Sequence, residues 1–153
     1  MRNMQDLLTE YGESHRNHSN EMIHWICVPV IFFCVVGFLY SVKLPFYVLH
    51  MQLNVAVFGL FLLILYYMRL SKTLWLGMFL FGTLCLYVCH LVSEAGYMLW
   101  LVCLILFAAA WIGQFCGHKI EGKRPSFLKD LQFLLIGPAW LMSFIYARLG
   151  VKI

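Results

Sequence analysis

Long apolar runs separated by short polar stretches dominate the chain. The five runs are His24–Val42, Phe46–Met68, Leu74–Val92, Tyr97–Cys116 and Leu131–Ala147. At a rise of about 1.5 Å per residue, each of the first four can cross a hydrocarbon core of about 30 Å. The fifth is shorter and has Gly137-Pro138 in its middle, so we expect a kinked or partial span there. The pattern predicts a bundle of four to five transmembrane helices with spans at 24–42, 46–68, 74–92, 97–116 and 131–147.

A shorter amphipathic pattern precedes the first run. Apolar residues recur there at the spacing of one helix face, at Met4, Leu7, Leu8 and Tyr11. This pattern predicts an interfacial helix over residues 3–14, lying on the membrane surface. No linker or repeat divides the chain, so we expect residues 1–153 to form a single all-α integral membrane domain. Ser19 or Asn20 is the expected cap of the first membrane helix.

Composition supports a membrane protein and argues against nucleic acid as a partner. Hydrophobic residues make up 63% of the chain and charged residues only 12%, whereas an ordinary soluble domain has about 25% charged residues. The net charge of +4 is modest, and the basic residues lie between the apolar runs. That placement suits anchoring at lipid headgroups.

The distribution of lysine and arginine predicts the orientation. If the spans alternate, one side of the membrane carries most of the basic residues: Arg2, Arg16, Arg69, Lys72, Lys119, Lys123, Arg124 and Lys129. The other side carries only Lys43, Arg148 and Lys152. By the positive-inside rule, the N-terminus and the polar loop 117–130 are cytoplasmic. We expect a multi-pass protein of a bacterial inner membrane or an endoplasmic reticulum membrane.

Three histidines are predicted at the cytoplasmic end of the bundle: His15, His24 and His118. Neutral imidazole is the commonest protein ligand for transition metals, so these residues are candidate metal ligands. His15 and His24 are nine residues apart and would point to opposite sides of a straight helix. Joint ligation therefore requires a bend in the cap-rich stretch 15–20. The competing interpretation is a solvated loop that anchors headgroups.

Other polar residues near these histidines are candidates for supporting roles. Possible ligands, or partners of a ligand's second ring nitrogen, are Asn17, Asn20, Glu121 and Asp130. His18 is either a fourth ligand or a solvated loop residue. Lys123 and Arg124 either attract a fatty carboxylate or only enforce the topology.

Two further histidines and the cysteines have structural interpretations. His50 and His90 are predicted at the opposite side of the membrane, where His90 and Glu94 form a local pair or, alternatively, a proton relay. The six cysteines all lie in or at the ends of apolar runs, without a CxxC pair. We expect buried, reduced thiols.

At the histidine stretches the chain resembles a known family, the membrane-bound 2-hydroxy fatty acid dioxygenases of fatty acid α-oxidation. The first motif, H-x-N-x-x-N-x-x-x-H with a following V-P, is present as His15, Asn17, Asn20, His24, Val28 and Pro29. The second, Q-F-x-G-H with following E, R, P and D, is present as Gln114, Phe115, Gly117, His118, Glu121, Arg124, Pro125 and Asp130.

The resemblance implies an Fe(2+)-dependent dioxygenase that uses O2 to shorten a 2-hydroxy fatty acid by one carbon. It also implies that His15, His24 and His118 are the iron ligands or essential site histidines. Two other classes stay open. One is a non-catalytic membrane protein that binds lipid or a partner through the basic loop 117–130. The other is a haem-binding electron carrier with paired axial histidines.

Overall fold

Helices dominate the structure, a computed structural model that describes residues 8–9, 17–48, 51–122 and 127–151. The helices are α1 (His18–Ser41), α2 (Val55–Leu70), α3 (Leu74–Glu94), α4 (Leu99–Glu121) and α5 (Phe127–Arg148). Two antiparallel strands, β1 (Lys43–Val48) and β2 (Met51–Asn54), connect α1 to α2. Of the predicted interfacial helix, only residues 8 and 9 are described. Both are helical, and Leu8 packs against the buried core.

Within the described residues, three helices are long and apolar enough to cross a membrane: α1, α3 and the segment Leu99–Ile120 of α4. The helix α2 is apolar but shorter. Large apolar side chains such as those of Leu84, Ile105 and Ile112 are exposed on the outer faces. Surfaces of this kind suit contact with lipid. The predicted all-α membrane bundle is confirmed.

The first helix begins at His18, slightly earlier than predicted, since the expected caps Ser19 or Asn20 place its first residue at position 20 or 21. Asn17 is its cap, since the side-chain oxygen of Asn17 accepts a hydrogen bond of 2.9 Å from the Ser19 N–H. The predicted caps Ser19 and Asn20 instead lie inside the helix. His24 therefore falls in the second turn.

The second apolar run does not form a helix from its beginning. Residues 46–54, predicted as the start of a span, belong mostly to the β-hairpin, and the helix begins at Val55. The aromatic and β-branched residues Phe46, Tyr47 and Val48 favour a strand. Asn54 then caps α2, because its side-chain oxygen accepts from the Val57 N–H at 3.2 Å.

The predicted polar loop 117–130 is mostly helical. The helix α4 continues to Glu121 and α5 starts at Phe127, so His118 lies in the last helical turn and not in a loop. Gly122 ends α4 in the left-handed conformation, with φ +72°. A glycine adopts this conformation without a side-chain clash, which makes it a common helix terminator.

The most extensive helix–helix contact joins α1 and α4, which run antiparallel. Glycines allow this close approach at three levels. A methyl group on Gly37 would overlap the Cys103 sulfur, and one on Gly113 would lie 2.8 Å from the Cys27 sulfur. At the third level, a methyl group on Gly117 would overlap the side-chain oxygen of Asn20. We call the end where α1 begins and α4 ends the histidine end.

Two hydrogen bonds connect the last helix, α5, to residues at the histidine end. The Tyr67 hydroxyl, near the end of α2, donates to the Leu135 carbonyl. The Tyr146 hydroxyl donates to the Thr73 carbonyl, just before α3, at 3.1 Å.

The helices α1 and α3 run parallel. Two contacts show this direction: Phe32 stacks on Phe81, and the Cys89 sulfur lies close to Gly37. Because α2 ends and α3 begins at the histidine end, α5 lies across that end of the bundle.

The cysteines are free, as predicted. Cys34, Cys85, Cys89 and Cys103 are buried in the main core, and Cys27 in a smaller cluster. Cys116 differs from the prediction because it is exposed on α4.

Candidate metal centre

Two histidines that are far apart in the sequence, one on α1 and one on α4, meet at the histidine end. The ring centroids of His24 and His118 are 5.2 Å apart and the ring planes are nearly perpendicular, at 82°. His24 is 1% exposed and His118 is 6% exposed. The antiparallel packing of α1 on α4 produces this encounter, since it places the second turn of α1 beside the last turn of α4. The two polar stretches therefore converge at these two side chains.

The ring of His24 is held by the backbone of its own helix. Its Nδ1 atom lies 2.9 Å from the carbonyl oxygen of Asn20. A carbonyl oxygen only accepts hydrogen bonds, so Nδ1 carries the proton and donates it. In the neutral ring the lone pair is then on Nε2. Metal-binding histidines usually have this arrangement, in which a carbonyl or carboxylate fixes the tautomer and the ring orientation.

Asn20 itself is completely buried beside the histidine pair. Its side-chain oxygen lies directly against Gly117, the residue before His118 in the chain. The sequence suggested Asn20 as a partner of a ligand histidine. The structure gives that contact to the main-chain oxygen of Asn20 and places the side chain against α4.

A further buried polar side chain lies one turn from His118. Gln114 is 8% exposed and precedes His118 by four residues on α4, so the two share a helix face. Sequence reasoning noted Gln114 only as part of a motif and did not include it among the candidate site residues. The i, i+4 spacing of Gln114 and His118 indicates a common helix face. The sequence predicted a loop from residue 117, and in a loop this spacing has no such significance.

The histidine pair fits a metal centre in its donor chemistry and spacing. Two imidazoles bound at about 2.1 Å to one metal, with a bond angle of about 90–110°, have ring centres about 4.6–5.3 Å apart. The observed 5.2 Å falls in this range. Among the side chains that the structure describes, no group of three His, Cys, Asp or Glu residues comes together. A third protein ligand would have to come from a residue outside that set.

A comparison with protein families identifies the chain. The model of the family described as 2-hydroxy-palmitic acid dioxygenase Mpo1-like matches residues 1–149. The chain belongs to this family. The match includes both histidine stretches, and the name of the Mpo1-like family points to a dioxygenase-like enzyme with a 2-hydroxy fatty acid substrate. Searches of curated proteins and of solved structures gave no match.

The other candidate residues of this Mpo1-like protein divide into two groups. Asn17 and His18 are exposed at the start of α1, and Asn17 acts as the helix cap. The remaining residues lie outside the described part of the chain, either entirely (His15, Lys123 and Arg124) or in their side chains (Glu121 and Asp130). In the chain, His15 precedes the first residue of α1 by three positions.

An apolar groove lies near the histidine end but on another face of α1. It is partly open to the surroundings and has an almost wholly apolar lining of Trp25, Pro29, Phe81, Pro138, Leu141, Met142 and Ile145. Trp25 follows His24 in the chain and points about 100° away from it around the helix. The groove therefore belongs to the packing of α5 on α1 and α3, not to the histidine pair.

Proposed function

We propose that this chain is an iron(II)-dependent dioxygenase that shortens 2-hydroxy fatty acids by one carbon, a reaction of lipid α-oxidation. The observation that carries the proposal is the buried His24–His118 pair, built from two separate motifs in a member of the Mpo1-like family. In this proposal His24 and His118 hold the iron together with His15, which belongs to the same sequence motif as His24.

The chain's own residues have distinct roles in this proposal. When bound, ferrous iron supplies electrons for the reaction with O2 and a chelation site for the carboxylate and hydroxyl oxygens of the substrate. The Asn20 carbonyl keeps the proton of His24 on Nδ1, so that Nε2 is the ring nitrogen that would hold the metal. Lys123 and Arg124 attract the substrate carboxylate, and the apolar helices accommodate its tail.

The atoms of the proposed reaction balance without a second organic reductant. One 2-hydroxy acid and one O2 contain the atoms of a fatty acid one carbon shorter, one CO2 and one water. The carbon–carbon bond beside the carboxyl group breaks, the hydroxyl-bearing carbon is oxidised to the new carboxylic acid, and O2 accepts the electrons. A 2-oxo acid co-substrate is therefore not needed.

The test is turnover of 2-hydroxypalmitic acid by the purified protein in detergent, loaded with Fe(II) and supplied with O2 but with no 2-oxo acid. We expect a fatty acid one carbon shorter, measured by mass spectrometry, and its loss in the His118→Ala variant. Unchanged substrate in protein that holds stoichiometric iron would contradict the proposed reaction. If His118→Ala leaves the protein's function intact while Lys123→Gln/Arg124→Gln abolishes it, the protein is instead a lipid- or partner-binding protein.

A further inference from the structure

We infer that Asn20 and Gly117 form a positioning pair that sets the relative geometry of His24 and His118. The inference rests on the proposed function, because the purpose of that geometry is to hold iron. Asn20 and Gly117 are positioning residues here and not ligands.

Asn20 contacts His24 directly and also contacts the backbone that carries His118. Its main-chain oxygen accepts the hydrogen bond from His24 Nδ1 at 2.9 Å. Its side-chain oxygen lies against Gly117, which is covalently joined to His118. A single residue therefore connects the orientation of one ring to the backbone that carries the other. A change in the Asn20–Gly117 contact is therefore expected to alter the relative position of the two rings.

The chemistry of this contact differs from that of the other close contacts between α1 and α4. At Gly37 and Gly113, the atoms that fill the glycine gap are the sulfurs of Cys103 and Cys27. A thiol behaves as a small apolar group in such packing. At Gly117 the gap is filled by a fully buried amide, which costs free energy to bury in apolar surroundings unless it is hydrogen-bonded. Packing alone does not require a polar side chain there, so its position beside the histidines points to a role in the site.

Gly117 is needed because of its size. A methyl group at this position would overlap the Asn20 side-chain oxygen, so Gly117→Ala displaces the Asn20 side chain or moves α1 away from α4 at the level of the histidine pair. Gly113, one turn deeper in the same interface, provides a matched control. Gly113→Ala creates a comparable clash with the Cys27 sulfur, at 2.8 Å, without touching Asn20.

The experiment measures Fe(II) affinity anaerobically in the full-length purified protein, together with its thermal unfolding temperature. We expect Asn20→Leu and Gly117→Ala to weaken Fe(II) binding about 10–100-fold, the usual effect of losing support for a metal ligand. Gly113→Ala should lower the unfolding temperature about as much as Gly117→Ala does but leave the affinity within about 3-fold. Equal losses of affinity in both glycine variants would overturn the inference.

A double variant separates positioning from simple space filling. In Asn20→Ala/Gly117→Ala the overlap is relieved, because the smaller side chain at position 20 leaves room for the new methyl group. If Asn20 only fills space, this variant regains wild-type affinity, and the inference fails. If Asn20 positions the site, the folding stability recovers and the weak Fe(II) binding remains.

A measurement on metal-free protein keeps the inference separate from the proposed function. In protein with ¹⁵N-labelled histidine, long-range ¹H–¹⁵N NMR spectra report which nitrogen of His24 is protonated. We expect an Nδ1–H ring in the wild type and in Gly113→Ala, but a mixture of tautomers in Gly117→Ala and Asn20→Leu. A wild type that binds no iron but shows this NMR pattern would contradict the proposed function alone. An unchanged His24 signal in all variants would contradict the positioning pair.

Discussion

The two ends of the bundle both carry a histidine with an aromatic-ring neighbour, yet they differ in burial and in packing. At the histidine end, His24 and His118 are enclosed between closely packed helices. At the opposite end, His90 is only partly buried, and its Nδ1 lies 3.4 Å from the Tyr40 hydroxyl. The ammonium group of Lys43 lies 3.8 Å from the centre of the Tyr40 ring.

The comparison separates a candidate site from a structural contact. His90 has the Tyr40 phenol as a partner and is itself only partly buried, so water can also satisfy its ring and the Tyr40–His90 contact needs no functional explanation. Two imidazoles enclosed among apolar side chains carry a desolvation cost and persist only with well-placed partners. At the histidine end His24 has such a partner in the Asn20 carbonyl, and the buried amides of Asn20 and Gln114 lie nearby. Histidine is therefore a candidate site residue at the histidine end and a structural residue at the opposite end.

The largest expected effect comes from removing either enclosed histidine. We expect His24→Ala and His118→Ala to lower the rate of 2-hydroxypalmitic acid turnover at least about 100-fold, since losing support outside the ligand set already costs about 10–100-fold. His90→Ala is the matched control at the opposite end and should stay within about 3-fold of wild type. The initial rate of formation of the shortened fatty acid measures all three. A comparable loss in His90→Ala would remove the distinction between the two ends.

A second pair of variants extends the comparison to the residues around the start of α1. His15→Ala should weaken Fe(II) binding about as much as His24→Ala does, if His15 completes the ligand set. His18, exposed in the first turn of α1, is the control, and His18→Ala should leave Fe(II) affinity within about 3-fold of wild type. Anaerobic Fe(II) titration provides the measurement. Full affinity in His15→Ala would exclude His15 as a ligand.

The basic residues that follow α4 in the chain should also differ in effect from Lys43, which lies at the opposite end of the bundle. Lys123→Gln and Arg124→Gln should each raise KM for the 2-hydroxy fatty acid about 5-fold with little change in kcat, because a basic residue near a membrane surface contributes about 1 kcal/mol to the binding of an anion. Lys43→Gln, at the opposite end, should leave KM unchanged. The KM effect should shrink at high salt. A fall in kcat with constant KM would contradict a role in carboxylate attraction.

The smallest expected effects concern stability. Tyr67→Phe removes the hydrogen bond that fastens α5 to the histidine end and should lower the free energy of unfolding by about 1–2 kcal/mol. Tyr40→Phe removes a longer contact in a less enclosed place and should cost less than about 1 kcal/mol. Thermal unfolding in detergent compares the two variants. The reverse order would argue that α5 is not held by the Tyr67 contact.

The sequence was sufficient to predict that His24 and His118 lie at the same end of the bundle. Apolar runs of membrane-spanning length and short connections determine which helix ends are neighbours. The contact between the rings required more, because it depends on Gly113 and Gly117 allowing α1 and α4 to approach closely. Those glycines lie within an apolar run, and their spacing alone does not identify the packing partner.

Two predicted helix boundaries are wrong, because an apolar segment need not be helical and a polar segment need not be a loop. The segment Lys43–Asn54 is largely apolar but forms a hairpin, and the neglected signal was Asn54 as the cap of α2. The segment Gly117–Glu121 is more polar but continues α4, because the terminating glycine is Gly122. The path of α5 across the histidine end depends on the hydroxyl contacts of Tyr67 and Tyr146, which hydropathy does not register.

The iron content of the purified protein tests the central claim most directly. Wild type and His90→Ala, reconstituted anaerobically with Fe(II) and freed of excess metal, should each retain about one iron per chain, as a single site requires. His24→Ala and His118→Ala should retain little or none. Equal iron retention in all four proteins would contradict the assignment of the metal centre to the histidine end.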